Sequence, residues 1–517
     1  MSNHVSRRHF IKLAGIAAAA ATLSPVSRAL SAPRFIQTAK TFTIGINAEL
    51  TTFDPQHSGG SIVGNRMHGF VFDQLTQLDP AGQLQPMLAT AWKNDGMRWV
   101  FTLRPNVKFH DGTTMTAQDV AFSINRMMGL TPNPQPSNTR TSLAPFIEKA
   151  EVTGDLEVAI ITKIVDGLLP LRMASVNTCI VPEAYYSATT FEDLQTKPIG
   201  AGPFKLVSFA AGDRSVMEAH ADYWGGRPNI DQLVVRPIPE TATRMAAFQA
   251  GELDLVTTVP PDSIDSLGSS NTRVETSRVF NWMLTYFNTN KGPTANVDFR
   301  RALSLSIDRK AIAESLWGGR VRVMNDYYLP GEFGYDEKRP DFAFDLDAAK
   351  KALDAAKYAG EALEFTPPAQ YYTNGRLVTD AINEFWTNAG ITVTYEPLDN
   401  QNWFERSLAG NNIATLQSFG TSGDPGTGIG SVWAPGLWIA NYFLPNEASQ
   451  KLLTEAASST DADLRRKNYR AFADYLDTVV PIAPLYQSVE FYGVKNDIKW
   501  TPSVTFQIDL RPNIFSR

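Results

Sequence analysis

The chain has 517 residues, 43% of them hydrophobic and 19% charged, with a formal net charge of -6. That length is too great for one hydrophobic core and predicts at least two lobes, and the acidic balance excludes a nucleic-acid binder, which needs a clustered basic face. The single cysteine, Cys179, excludes an internal disulfide, and no Cys/His spacing suggests a metal site, so no metal or other cofactor is expected. Cys179 reads instead as a small buried hydrophobe.

In chain order, Ser6-Arg7-Arg8-His9-Phe10-Ile11-Lys12 precedes an alanine-rich run from Leu13 to Leu23, then Pro25 and small residues around Ala29-Leu30-Ser31-Ala32. This is the order of a secretory signal over residues 1–31, and the arginine pair followed by Phe10 points to the twin-arginine route. Arg28 fits that route, since a late positive charge disfavours the general secretion channel. No later stretch approaches the ~18 apolar residues of a membrane span, and no cysteine near the signal end offers a lipid anchor. The expectation is an exported, unanchored protein of a Gram-negative periplasm.

Thr41 to Ile46 and Trp99 to Leu103 alternate as half-buried strands do. Ala117 to Met128 carries Val120, Ile124 and Met127 on one helical face, with Thr116 and Asp119 as a capping box. Asp298–Ile307 and Asp308–Trp317 predict consecutive helices, the second stopped by Gly318-Gly319. Leu377–Ala389 predicts a helix ended by Gly390, Thr392–Tyr395 a strand, and Asp461–Asp477 a last helix closed by Pro481. With no repeat and no low-complexity tract, the class is mixed α/β.

Catalytic signatures are absent: there is no G-x-S-x-G, S-x-x-K or H-E-x-x-H. His110-Asp111 has the makings of a base with its orienting carboxylate, but Asp111-Gly112 between a strand and a capped helix reads first as a turn. Gly426, Gly428 and Gly430 lack the Lys-Ser/Thr and helix start of a phosphate loop. An exported hydrolase with an unrecognised carboxylate pair is the alternative that composition leaves open.

Several ordered blocks carry a resemblance. They are Pro86-Met87-Leu88-Ala89, Val107-Lys108-Phe109-His110-Asp111-Gly112, Thr116 to Phe122, Gly200-Ala201-Gly202-Pro203-Phe204-Lys205, and Tyr223-Trp224-Gly225-Gly226. Further blocks are Ala247 to Asp254, Phe299-Arg300-Arg301-Ala302-Leu303 with Ile307-Asp308-Arg309, and Pro481 to Tyr486. The sequence closely resembles the family 5 extracellular solute-binding proteins, the dipeptide, oligopeptide, glutathione, nickel and opine binders of ABC importers.

The resemblance implies a two-lobe α/β periplasmic binding protein fold of the large, cluster C type, a monomer without enzymatic activity. Lobe I would span 41–284, with 490–517 returning to it, and lobe II 285–489. The two hinge crossings would lie near Tyr286-Phe287-Asn288 and Tyr486-Gln487. Closure around a small-molecule ligand would then be read by the permease subunits. By family position, Trp403 and Phe419 offer stacking faces, while Tyr371, Asn374 and Thr421 offer hydrogen bonds. Thr51 and Glu49 would face them from lobe I, and Arg376 or Arg66 would supply an anion site.

One departure stands out. Where the dipeptide binders hold the peptide ammonium with an aspartate, this chain has Thr421, three residues before Asp424-Pro425. Where they place the carboxylate-binding arginine, two residues before the tyrosine aligned with Tyr371, it has Ala369. The solute is therefore open between a peptide-like compound, an opine, a sugar derivative and a chelate.

Overall fold

The computed structural model describes residues 39–58, 62–132, 138–269, 271–428 and 438–517. The export signal read at residues 1–31, with Arg7 and Arg8, lies outside them, as does Gly430.

The sequence periodicities become elements with identifiable ends. Thr41–Ile46 is a strand. At the helix Ala117–Met127, Thr116 Oγ1 accepts the Asp119 N–H (3.3 Å) while the Asp119 carboxylate accepts the Thr116 N–H (2.8 Å). This reciprocal pair satisfies two otherwise orphaned donors. The mid-chain helices run Val297–Leu305 and Arg309–Trp317, and Gly318 closes the second in the left-handed conformation with φ 57°, which costs glycine nothing. Gly375–Asn388 and Ala462–Val479 are helices and Val393–Tyr395 is a strand, each within about two residues of its predicted bounds.

Among the described residues the largest sheet has eleven strands. At one end, Thr41–Ile46 lies parallel to Gln232–Pro237 and Leu255–Val256, and Arg214–Ala219 and Phe204–Ala210 continue that side antiparallel. At the other end, Ala414–Gly420 pairs with Leu363–Phe365, which pairs with Val393–Tyr395. The halves are joined by two long antiparallel strands, Thr272–Phe287 and Ile482–Lys495. A separate four-stranded antiparallel sheet (Ala89–Asp95, Arg98–Leu103, Glu157–Thr162 and Ile147–Gly154) packs under the helix Ala117–Met127.

The long strands change partners part-way. Thr272–Arg278 pairs only with Lys495–Val489, register then breaks between Arg278 and Trp282, and Asn281–Phe287 takes Ala414–Gly420 on its other edge. At the break, the Phe280 N–H donates to Val504 O and the Phe280 carbonyl accepts the Thr421 N–H, both at 2.7 Å. The change of partner therefore falls at Val279–Asn281, opposite Gln487–Val489. Tyr286 and Phe287 are paired with Thr415 and Ala414.

The Gly200-Ala201-Gly202 block is a packing device. Gly202 N–H donates to Val71 O at 2.9 Å, and a Cβ on Gly202 would sit 2.4 Å from the Val71 carbonyl carbon. His110 binds the same block: Nδ1 accepts the Gly200 N–H at 3.3 Å and Nε2 donates to Gly202 O at 3.0 Å. Burial drives its pKa from 6.5 to about 3, so the ring stays neutral. Asp111 turns away to bond Thr113, and no base–carboxylate pair forms. Cys179 is fully buried. Gly202→Ala is expected to cost about 3 kcal/mol by forcing backbone apart; denaturant unfolding measures this, and an unchanged midpoint would refute the packing account.

Candidate functional site

A cleft of about 330 Å³ opens at the partner change, lined from both halves of the molecule. Phe280 and Asn281 form its floor. One wall comes from Leu78, Ala174–Val176 and Val504–Gln507, and the other from Tyr371, Tyr372, Trp403, Phe404 and the strand end Gln417 to Ser422. The volume lies at the lower end of the ~300–1,000 Å³ typical of small-ligand sites.

The aromatic wall is organised by packing. Trp403 is held by its indole N–H donating to Thr415 Oγ1 at 2.9 Å. Tyr371 lies against it, ring centroids 5.3 Å apart and planes at 39°, and keeps 41% of its surface exposed. Tyr372 donates through Oη to Gln417 Oε1 at 3.2 Å, fixing that amide. On the floor, Asn281 Oδ1 accepts from Ser488 and Nδ2 donates to Ser418 Oγ, at 2.7 and 3.2 Å. Phe506 occupies the left-handed region with φ 64°, an unusual conformation for an aromatic residue and one that turns the 504–507 segment along the cleft.

The carboxylates nearest the wall lie behind it. The Thr421 hydroxyl donates to Glu332, whose other oxygen accepts the Leu329 N–H at 2.8 Å. Asp424 is paired with Arg465 and accepts from Tyr469 at 3.2 Å. Burial pushes the Glu332 carboxyl from 4.5 to about 7; the Thr421 and Leu329 donors oppose this and Asp424 and Asp326 add to it.

Tyr371, Trp403 and Thr421 thus lie on the cleft, and the other residues expected there do not. Phe419 is buried, edge-on to Trp282 at 5.5 Å within an apolar cluster, and is not among the cleft-lining residues. Asn374 takes φ 53° and donates to Leu316 O at 2.8 Å, serving the start of its helix. Arg376 is exposed and paired with Asp380 at 2.9 Å. Glu49 accepts the Gly212 N–H at 2.5 Å beside a separate crevice of about 10 Å³, too small for a solute, and Thr51 is exposed away from the cleft. Arg66 is buried against Glu490, which also accepts from Thr258 N (2.9 Å) and Oγ1 (3.0 Å). That guanidinium is a structural tie, not an anion site.

Phe280, Asn281, Ala174–Val176 and Val504–Gln507 escaped the sequence reading, whereas Gln417 falls within the 403–425 region expected at the cleft. Their shared position depends on pairings between segments hundreds of residues apart, and no local motif signals it. Among the described residues no group of three His, Cys, Asp or Glu is placed to hold a metal, and no helix is long and apolar enough to cross a membrane.

Residues 83–437, more than half of the chain, match the family described as bacterial extracellular solute-binding proteins, family 5 Middle. The chain belongs to this family of solute-binding proteins. It is similar to heme-binding protein A of Haemophilus influenzae, 27% identical over 467 residues covering 83% of this chain and 84% of that one. It is also similar to di/tripeptide-binding protein 1 of Pseudomonas aeruginosa, 25% identical over 461 residues covering 83% and 85%. In fold it matches the binding protein AgaA of A. tumefaciens R10, solved with agropinic acid, at a TM-score of 0.81 and 23% identity over 90% of this chain and 96% of that one. The family accounts for the two-lobe α/β architecture.

The raised Glu332 value has a sign. The folded chain holds a proton that the unfolded chain releases, so this contribution to stability is fully present below pH 4.5 and is lost as pH rises to about 7. Glu332→Gln removes that dependence: unfolding free energies of wild type and variant, measured across this range, should converge or cross as pH rises. Parallel profiles would contradict the assignment.

Proposed function

We propose that the protein is the periplasmic substrate-binding component of an ABC importer, capturing a small polar solute between its lobes and presenting the closed form to the permease. The observation that carries this reading is the position of the cleft. It sits where the two long strands change partners, so any movement of one half about Val279–Asn281 and Gln487–Val489 opens or closes it. Lobe I would then comprise 41–284 with 490–517 and lobe II 285–489, the bending being concentrated at the register break. Contacts beyond the cleft support a closed state: Gly167 N–H donates to Ala457 O at 2.9 Å and Arg172 reaches Gly426 O at 3.4 Å. A solute touching both walls adds to these contacts only when the lobes are together, which is the differential affinity that closure requires.

The wall lacks a paired-carboxylate constellation facing open space, so capture rather than hydrolysis is the reading. Export by the twin-arginine route, cleavage after Ser31 and a monomeric working form complete it.

Two measurements test the proposal. A solute that co-purifies with the protein, identified by native mass spectrometry and returned at 100 times its Kd, should stabilise the fold by ~2.7 kcal/mol and contract the small-angle scattering profile. Superimposable profiles with and without the solute would overturn closure as the signal. Replacing Arg7 and Arg8 by lysine should leave the protein in the cytoplasm; unchanged export would assign the signal to the general pathway.

A further inference from the structure

We infer that the solute is uncharged and polyhydroxylated, a neutral mono- or disaccharide, and this rests on the solute-capture reading above. Three independent features of the cleft converge on that class.

The first is the absence of charge. None of the described residues lining the cleft is ionisable at neutral pH other than the two tyrosines, whose hydroxyls burial holds neutral by raising their pKa. The internal segments outside the description (59–61, 133–137, 270 and 429–437) contain no ionisable residue either. Behind the wall, Glu332, Asp424 and Arg172 each have a partner. Thr421 and Leu329 cap Glu332, while Arg465 pairs Asp424 and Asp166 pairs Arg172. The ammonium and carboxylate of a free peptide, or the acid groups of an opine, would have to leave water here without a partner, at a cost of several kcal/mol per charge.

The second is the aromatic platform. Tyr371, 41% exposed, and Phe404, 54% exposed, present ring faces to the cleft, and the buried Trp403 backs Tyr371. The electron-rich face of an aromatic ring attracts the weakly positive C–H face of a sugar ring. The third is the composition of the polar groups. Asn281, Gln417 and Gln507 are amides and Ser418, Thr421 and Thr505 are hydroxyls, each able to donate and to accept, as a ligand made of hydroxyl groups demands. Several are pre-set by protein partners: Gln417 by Tyr372, Asn281 by Ser418 and Ser488, and Thr421 by Glu332 and by the Gly423 N–H at 3.3 Å. A purely apolar ligand would leave these groups desolvated and unmatched.

The test is calorimetric titration of the mature protein with a panel of neutral mono- and disaccharides, set against the zwitterionic dipeptides Ala-Ala and Gly-Leu and the anionic tripeptide glutathione. At least one saccharide should bind saturably with an affinity insensitive to ionic strength, because no ion pair forms. Tyr371→Ala, at a largely exposed ring whose loss should leave the fold intact, and Gln417→Leu, which keeps the shape and removes the amide, should each weaken that binding about tenfold. Gly69→Ala would place a Cβ 2.3 Å from Gln507 Nε2 and should weaken it by displacing that amide. If no saccharide binds, or if one binds and none of the three variants changes its affinity, the inference is overturned. Binding of a dipeptide or glutathione instead would overturn it while leaving solute capture standing; silence from every class, with nothing co-purifying, would count against both.

Discussion

Everything in this molecule that bears on function depends on two strands being shared by two halves of one sheet. Thr272–Phe287 and Ile482–Lys495 run antiparallel through both halves, which therefore share one hydrogen-bonded ladder. At the register break the ladder is interrupted, and the Phe280 peptide fills the gap by bonding Val504 on one side and Thr421 on the other. A continuous ladder would be stiff, and two separate sheets would need a large apolar interface to stay together. An interrupted shared ladder holds the two halves in register. The cleft lies at that interruption, floored by Phe280 and Asn281.

Polar groups in the interior have two distinct uses. Some are fasteners: His110 binds Gly200 and Gly202, Arg66 binds Glu490, and Trp224 donates to the buried Asp73. These account for much of the motif content by which the family is recognisable, and they sit away from the cleft. Others set the cleft's character indirectly. Glu332 and Asp424 are charged residue types next to the binding space, yet each is covered by a donor or an ion pair, so what the solute meets is a hydroxyl or an amide. A fold can keep its fasteners and change its ligand class by replacing a few such covering residues.

The elements legible in the sequence were those whose cause is local. Capping at Thr116, the glycine stop at Gly318 and the helical face of Val120, Ile124 and Met127 all depend on residues within a few positions of one another. Trp403, Tyr371 and Thr421, expected at the cleft by family position, are among its lining residues. Phe419 differs, since it packs into the buried cluster with Trp282 and Tyr286, a contact between strands that one segment alone does not reveal. Arg66 and Arg376 looked available as anion binders because a sequence lists cations without their partners.

By itself, then, the amino-acid order determined the mixed α/β class, the lengths and ends of the local elements and the family. The tertiary structure alone decided where the ladder breaks, that Phe280, Ala174–Val176 and Val504–Gln507 meet the aromatic wall, and that Glu332, Asp424 and Arg172 are each paired or covered. Local order is governed by interactions a few residues long. A binding surface is assembled from segments separated by hundreds, and its net charge depends on which side chains neutralise one another once those segments meet.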